Sequence, residues 1–290
     1  MESAQTVRLG LHALGIGTGA RREVIDAVAA GAETAGFATL WAGEHVVMVD
    51  DGASRYPYTP DGRIAVPAQA DWLDPLIALS FAAAATSTIR LATGVLLLPE
   101  HNPLLLAKRV ASLDTLSHGR LSLGVGVGWS REEFDALGVP FERRGARADE
   151  YLAAMRTVWR DDVASFTGEF VSFAGVRVNP RPVRDRRIPI VVGGNSDAAL
   201  RRTARLGDGW YGFNLEGVDH VRERMQRLRR ACTRAGRDPA ELDVAVSLAG
   251  DGPHDREELA ALGVDELVLV GSPPDDPGAV ESWLTRLARQ

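Results

Sequence analysis

The sequence predicts a (β/α)8 barrel, an α/β TIM barrel with a long loop after the second strand and a small insertion before the fifth. Three observations point there. Short runs rich in Val, Ile and Leu alternate with amphipathic helical stretches along the whole chain, and eight such pairs can be traced. The apolar runs are nearly continuous, as expected of parallel strands covered on both faces. The chain has 290 residues, close to the roughly 250 that eight βα units occupy. No linker, low-complexity block or composition break marks a second domain, so 1–290 reads as one domain. A doubly wound open sheet is the competing arrangement.

Residues 7–12 read as the first strand. Residues 21–35 are helical, with Val24, Ile25, Val28 and Ala32 on one stripe and a stop at Gly36. The second strand is 37–41. Residues 46–72, "VVMVDDGASRYPYTPDGRIAVPAQADW", carry no regular pattern. So long an irregular segment in a compact domain points to a functional loop, and after strand two it would cover the C-terminal mouth. A helix at 73–86 leads into "TIRLATGVLLL", the third strand, bounded by Pro99. Pro103 sits in the first turn of a helix over 103–116. Residues 120–128 form strand four, followed by helices over 130–137 and 143–160.

The stretch "ASFTGEFVSFAGVRVNPRPV" alternates in polarity and predicts a small hairpin outside the repeat. Strand five is 188–192, with its helix at 197–206. Strand six is 209–213, with a helix at 218–235. Strand seven is 242–248, followed by a short helix at 256–262. Strand eight is 267–270, and a helix over 277–288 ends the chain.

The totals exclude several functions. A net charge of -6 and a pI near 5.6 argue against a nucleic-acid binder that neutralises phosphates. The arginines alternate with acids along helices such as "HVRERMQRLRRACTRAG", the pattern of a solvated face. The single cysteine, Cys232, excludes disulfides, CxxC redox sites and cysteine-built zinc sites within one chain, and it reads as a small buried residue. The N-terminus lacks a basic region followed by an apolar core, and no run approaches the roughly 18 apolar residues of a membrane span. A cytoplasmic protein with no membrane partner is expected. HExxH and HxH pairs and clustered His and Asp are absent, so no metal site is expected; GxSxG and a GxGxxG after strand one are absent as well. "GIGTG", from Gly15 to Gly19, reads as a loop.

In a barrel, five strand endings converge on one mouth: "WAGEHVV", "TGVLLLPEHNP", "GVGVGWSREEF", "VVGGNSDA" and "GDGWYGFN". In "IPIVVGGNSDAALRR" the apolar run ends at Val192 and meets Gly193 and Gly194 directly before a helix start. Two readings are open. The pair forms a tight turn, or it lets an anion approach the main chain beside free helix N–H groups, with Asn195 or Ser196 as the cap. Gly124, Gly126 and Gly128 recur with period two and share one face of strand four. Either close barrel packing or a flat ring accounts for them. Glu44 and His45 end strand two, and a histidine there can exchange a proton near neutrality. His12, ending strand one, is a second candidate. His101 reads as a loop residue, His118 as a turn residue at the opposite end, and His220 and His254 as surface positions.

Taken together, "LWAGEH", "GRLSLGVGVGW", "VVGGNSDAALRRTARLGDGW" and their order resemble the bacterial luciferase-like flavin superfamily. The likeness is greatest to the branch that uses the deazaflavin F420, and it covers nearly the whole chain. The resemblance implies an F420-dependent oxidoreductase acting on a small organic molecule. The alternatives it implies are an FMN-dependent two-component monooxygenase fed by a separate reductase, or a binding subunit that has lost its cofactor. It implies a cofactor phosphate at Val192, Gly193, Gly194, Asn195 and Ser196. It implies a non-prolyl cis peptide at Gly94-Val95 supporting the middle ring. Val127, Gly128 and Trp129 would line the phosphate and ribityl side, although Val127 replaces the small polar residue common there, leaving only a backbone role. His45 becomes a candidate proton donor or polar wall, with Glu44 as orienting partner or as a salt-bridging group inside the barrel. Tyr56, Tyr58 and Trp72 would close the site or fasten the loop to the barrel. A small-molecule substrate, a homodimer and a reductase system supplying reduced flavin or F420 complete the expected partners.

Overall fold

Eight parallel strands close into a ring. The computed structural model describes residues 6–250 and 256–289. The ring runs through β1 (Arg8–Leu14), β2 (Thr39–Ala42), β3 (Arg90–Thr93) with its continuation β4 (Leu96–Leu97), and β5 (Leu121–Gly126). A hairpin of β6 (Ala164–Thr167) and β7 (Ser172–Val176) stands apart as an antiparallel pair. The ring continues with β8 (Ile190–Gly193), β9 (Gly209–Leu215), β10 (Asp243–Leu248) and β11 (Glu266–Val270), which pairs back onto β1. The β3–β5 pairing completes the closure, which rules out an open doubly wound sheet.

Helices cover the outside: α1 (Arg22–Thr34), α2 (Pro75–Ala85), α3 (Pro103–Leu116), α4 (Arg131–Ala136), α5 (Arg144–Arg160), α6 (Asp197–Leu206), α7 (Val218–Ala235), α8 (Arg256–Ala261) and α9 (Val280–Leu287). Their starts follow local chemistry. Asp74 accepts from the amides of Leu76 and Ile77, so α2 begins at Pro75, two residues later than the apolar pattern suggests. Asn102, Ser130 and Ser196 cap α3, α4 and α6 in the same way. The last helix starts at Val280 because residues 277–279 form a 3-10 turn behind Asp276. No helix among the described residues is long and apolar enough to cross a membrane.

There are two cores. The larger lies between strands and helices, with Leu11, Leu40, Leu91, Leu123, Ile190, Val246 and Leu267 meeting Val28, Leu79, Val110, Leu152 and Leu228; Cys232 is fully buried there. The smaller fills the barrel: Trp41, Ala92, Val191, Tyr211, Ala245 and Val268, with Trp41 stacked on Tyr211 at 4.7 Å between centroids. Beneath it, at the N-terminal end, Glu266 accepts from Thr39 Oγ1 (2.8 Å), Trp41 Nε1 (2.8 Å) and Arg90 Nη2 (2.6 Å). Arg90 also reaches Asp243 at 2.9 Å. This ionic floor lies at the bottom of the barrel, opposite the mouth where the C-terminal strand ends gather.

Candidate active site

The break between β3 and β4 falls at Gly94-Val95, and that peptide bond is cis, the conformation expected at this strand end. The Val95 side chain lies against two glycines of other strands. A Cβ on Gly193 would stand 2.6 Å from Val95 Cγ1, and one on Gly126 would stand 2.7 Å from Val95 Cγ2. A Cβ on Gly124 would run into the Thr93 carbonyl. Close barrel packing therefore accounts for Gly124 and Gly126. It also gives Gly193 a packing reason of its own, independent of any ligand.

The anion reading then rests on Gly194, Asn195 and Ser196. Gly194 has φ +111°, outside the range of ordinary side chains, and its N–H donates to Tyr211 O at 3.2 Å. Ser196, not Asn195, caps α6, through Ala199 N. The Asn195 side chain is committed to β9, donating to Phe213 O (2.7 Å) and accepting from Phe213 N (3.1 Å). Only the main chain of Asn195 is left for a ligand. Arg224, on α7, donates through Nη1 to Asn195 O at 3.0 Å, and its buried Nε has no protein partner. The sequence placed Arg224 on a solvated helix face; only 15% of its side chain is exposed, and it backs the turn.

Glu44 does not orient His45. It accepts from Leu97 N (2.6 Å) and pairs with His101 Nε2 (3.0 Å), so it ties the end of β2 to the end of β4. His101 is thus a paired residue of the mouth. His45 instead pairs through Nδ1 with Glu133 Oε2 at 2.7 Å. Glu133 Oε1 also accepts from Val46 N (2.7 Å) and Val47 N (3.2 Å). The His45 ring stands edge-on to Trp72 and Trp129, at 4.9 and 5.8 Å. Glu133 was legible only as the fourth residue of an S-x-x-E capping pattern. Its carboxylate leaves the helix end and holds the histidine and the loop entrance instead. Glu133→Ala strips the acceptor from two amides and an imidazole, and about 2–3 kcal/mol of stability should go with it. Urea unfolding measures this; an unshifted midpoint would show that water satisfies those donors.

His12 is the histidine that touches the bulge. A Cβ on Gly94 would lie 3.3 Å from His12 Cε1, and Nδ1 is 3.4 Å from Tyr211 OH. Burial pulls the His12 pKa down to about 4, so it is a neutral imidazole at pH 7. It can share a hydrogen bond there but cannot act as a cationic acid. His118 adopts φ 55° in the turn before β5, and His220 is half-buried, accepting from Glu216 N at 3.3 Å. His254 lies outside the described residues. No group of three or more His, Cys, Asp or Glu among the described residues could hold a metal ion.

The long loop crosses the mouth and is tied down on several sides. Trp72 Nε1 donates to Gly43 O (3.0 Å), and Tyr58 O accepts from Asn214 Nδ2 (2.7 Å). Ala53 and Ser54 amides donate to Glu132. Tyr56 meets Trp129 and Tyr58 meets Phe213, both edge to face. Burial pushes the Tyr58 phenol up to about 12, so it keeps its proton at ordinary pH. These aromatics fasten the loop to the barrel and at the same time roof the mouth. Gly128 and Trp129 form its β5 side: Gly128 has φ 77° and its carbonyl accepts from Arg144 Nε at 3.1 Å, while the buried Trp129 Nε1 has no partner.

A closed parallel barrel with His12, His45 and His101, paired carboxylates and glycine turns gathered at the C-terminal mouth has the layout of a TIM-barrel active site. The chain belongs to the luciferase-like monooxygenase family, whose description matches residues 7–269. It is 38% identical over 258 residues to Rv0953c, an uncharacterised protein of Mycobacterium tuberculosis (strain H37Rv), covering 89% of this chain and 90% of that one. It is 30% identical over 204 residues to the FMNH2-dependent dimethylsulfone monooxygenase of Pseudomonas fluorescens, covering 69% of this chain and 52% of that one. The coenzyme F420-dependent tetrahydromethanopterin reductase of Methanopyrus kandleri has the same fold, with TM-score 0.73, 17% identity and 98% of each chain covered. F420- and FMN-dependent enzymes thus share this architecture.

Proposed function

We propose that the protein is an F420-dependent oxidoreductase that moves a hydride between the deazaflavin and a small organic substrate. One observation carries the reading. The β3–β4 bulge and the Gly194–Ser196 turn open on one mouth, and the turn is backed by Arg224, whose buried Nε has no protein partner. A flat ring against Gly94 and Val95 with an anionic tail at the turn fits that arrangement, with Arg224, also paired to Glu223 at 2.7 Å, behind the turn. The F420 ring, when bound, supplies or accepts the hydride at its C5 atom. The chain's own residues do the rest. The main-chain amides at Asn195 and Ser196 would hold the phosphate, with Gly193 and Gly194 giving it access to the main chain and Val192 buried beneath them. Val127, Gly128 and Trp129 would flank the ribityl side. His45, fixed by Glu133, would hand over or take up the matching proton. The roof of Tyr56, Tyr58 and Trp72 would keep water out.

The F420 reading is supported by the bulge and turn opening on one mouth. The second reading, an FMNH2-dependent monooxygenase with a separate reductase, is favoured by sequence identity to the dimethylsulfone monooxygenase. A homodimer and a reductase system that regenerates the reduced cofactor belong to the proposal. Titration of the purified protein with F420 and with FMN, followed by fluorescence, separates the two. F420 should bind and FMN should not; the reverse would assign the monooxygenase reading, and silence with both would sink the cofactor assignment.

A further inference from the structure

Three carboxyl groups meet at the mouth, and two of them hold donors from the main chain and from histidines. Glu44 holds Leu97 N and His101; Glu133 holds Val46 N, Val47 N and His45. Glu100 ends the 3-10 turn Leu98–Glu100, and both its oxygens are buried with no partner among the described residues. It lies beside the β5 rim, where a Cβ on Gly128 would stand 3.3 Å from Glu100 Oε1. The next residue, Trp129, carries the other buried partnerless group of this rim, its indole N–H. The charged and titratable groups that face Glu100 are Glu44 from the end of β2, neighbouring His101, and Glu133 from α4 with its partner His45. Arg144 reaches the rim from α5 but donates to Gly128 O and does not bond Glu100.

A buried carboxylate between two acidic neighbours and without a donor is the costliest state of that group. No cation pairs with it among the described residues, which favours the protonated form and a donor role. We propose that Glu100 is a neutral carboxylic acid in the native protein and donates a hydrogen bond to an acceptor oxygen of the mouth's occupant, with the Trp129 N–H as second donor. The pair selects a ligand rich in hydroxyl, carbonyl or phosphate oxygens over an amine. Burial, then Glu133, then Glu44 push the Glu100 carboxyl up to about 9, in keeping with that state. The ligand part of the proposal rests on the cofactor reading above; the protonation part does not.

Infrared difference spectroscopy of the ligand-free protein tests the protonation directly. At neutral pH the wild type should show a protonated-carboxyl C=O band that disappears as the pH is raised through about 9 and is missing in Glu100→Gln. Wild-type and Glu100→Gln spectra with the same protonated-carboxyl intensity, or no such band in the wild type at neutral pH, overturn the proposal. Asp114, whose carboxyl burial also raises, remains in the variant as an internal control. If Glu100→Gln fails to fold, the wild-type titration alone decides, since a carboxyl lost near 9 cannot be an ordinary surface group. The second measurement is F420 affinity against pH. Wild-type affinity should fall by about tenfold above the Glu100 transition, while Glu100→Gln, which keeps a neutral donor, should stay level. A flat wild-type profile overturns the ligand contact. Failure of wild type to bind F420 at any pH counts against the cofactor reading and removes the ligand contact with it, leaving the infrared result to judge the protonation.

Discussion

Replacing Glu266 by alanine should lower stability by about 3–5 kcal/mol, the usual cost of removing one partner of a buried ion pair. Glu266 is 1% exposed and answers three donors: the Thr39 hydroxyl, the Trp41 indole and the Arg90 guanidinium. Its removal leaves Arg90 with Asp243, at 2.9 Å, and the Thr39 hydroxyl, at 3.2 Å, and leaves the Trp41 N–H facing an apolar interior. The apolar area lost is small, so the unpaired groups dominate the cost. Glu266→Gln keeps a neutral acceptor for Trp41 and Thr39 and should fall between wild type and Glu266→Ala. Guanidinium unfolding of the two variants reads the difference. A Glu266→Ala midpoint within error of wild type would mean the ionic floor contributes nothing to closure. Pairing the alanine variant with Arg90→Ala should recover part of the loss, because the uncompensated charge is then gone as well.

Gly193→Ala is expected to cost about 1–3 kcal/mol as an overpacking substitution and to weaken cofactor binding together with the fold. The reason is the 2.6 Å separation between the added Cβ and Val95 Cγ1, far inside van der Waals contact. Val95 is β-branched and cannot swing clear without leaving its rotamer. The bulge or β8 must then shift, and with it the proposed ring support. From the sequence alone, a bulky residue at Gly193 would be expected to block an anion and spare the fold; the structure couples the two effects. The Val95→Ala, Gly193→Ala double variant removes the clash and should regain most of the lost stability. If the double variant is no more stable than Gly193→Ala, Val95 is not what the glycine accommodates.

The fold was legible because barrel periodicity is local. Each strand announces itself as a short apolar run and each helix as a stripe, and the caps at Asp74, Asn102, Ser130 and Ser196 act within three residues. The glycines of β5 and β8 were visible, as was the break at Gly94-Val95 through the family pattern around it. Their reasons were less so. Gly126 and Gly193 lie on different strands, and only closure of the ring shows that both make room for Val95.

The hydrogen-bond partners at the mouth were not legible at all. His45 stands next to Glu44 in the chain, yet it bonds Glu133, 88 residues away, while Glu44 bonds His101, 57 residues away. Neighbouring side chains at the end of a strand diverge, and the barrel brings distant strand ends together at its rim. Glu100 drew no notice in the sequence, where it is one more acidic loop residue. Its isolation becomes apparent once Glu44 and Glu133 are seen to hold the histidines and main-chain amides beside it. The sequence by itself determined the barrel, its family and which strand ends carry polar groups, since those follow from local pattern. Tertiary structure decided which polar group answers which, because pairing depends on distances across the ring that no sequence spacing encodes.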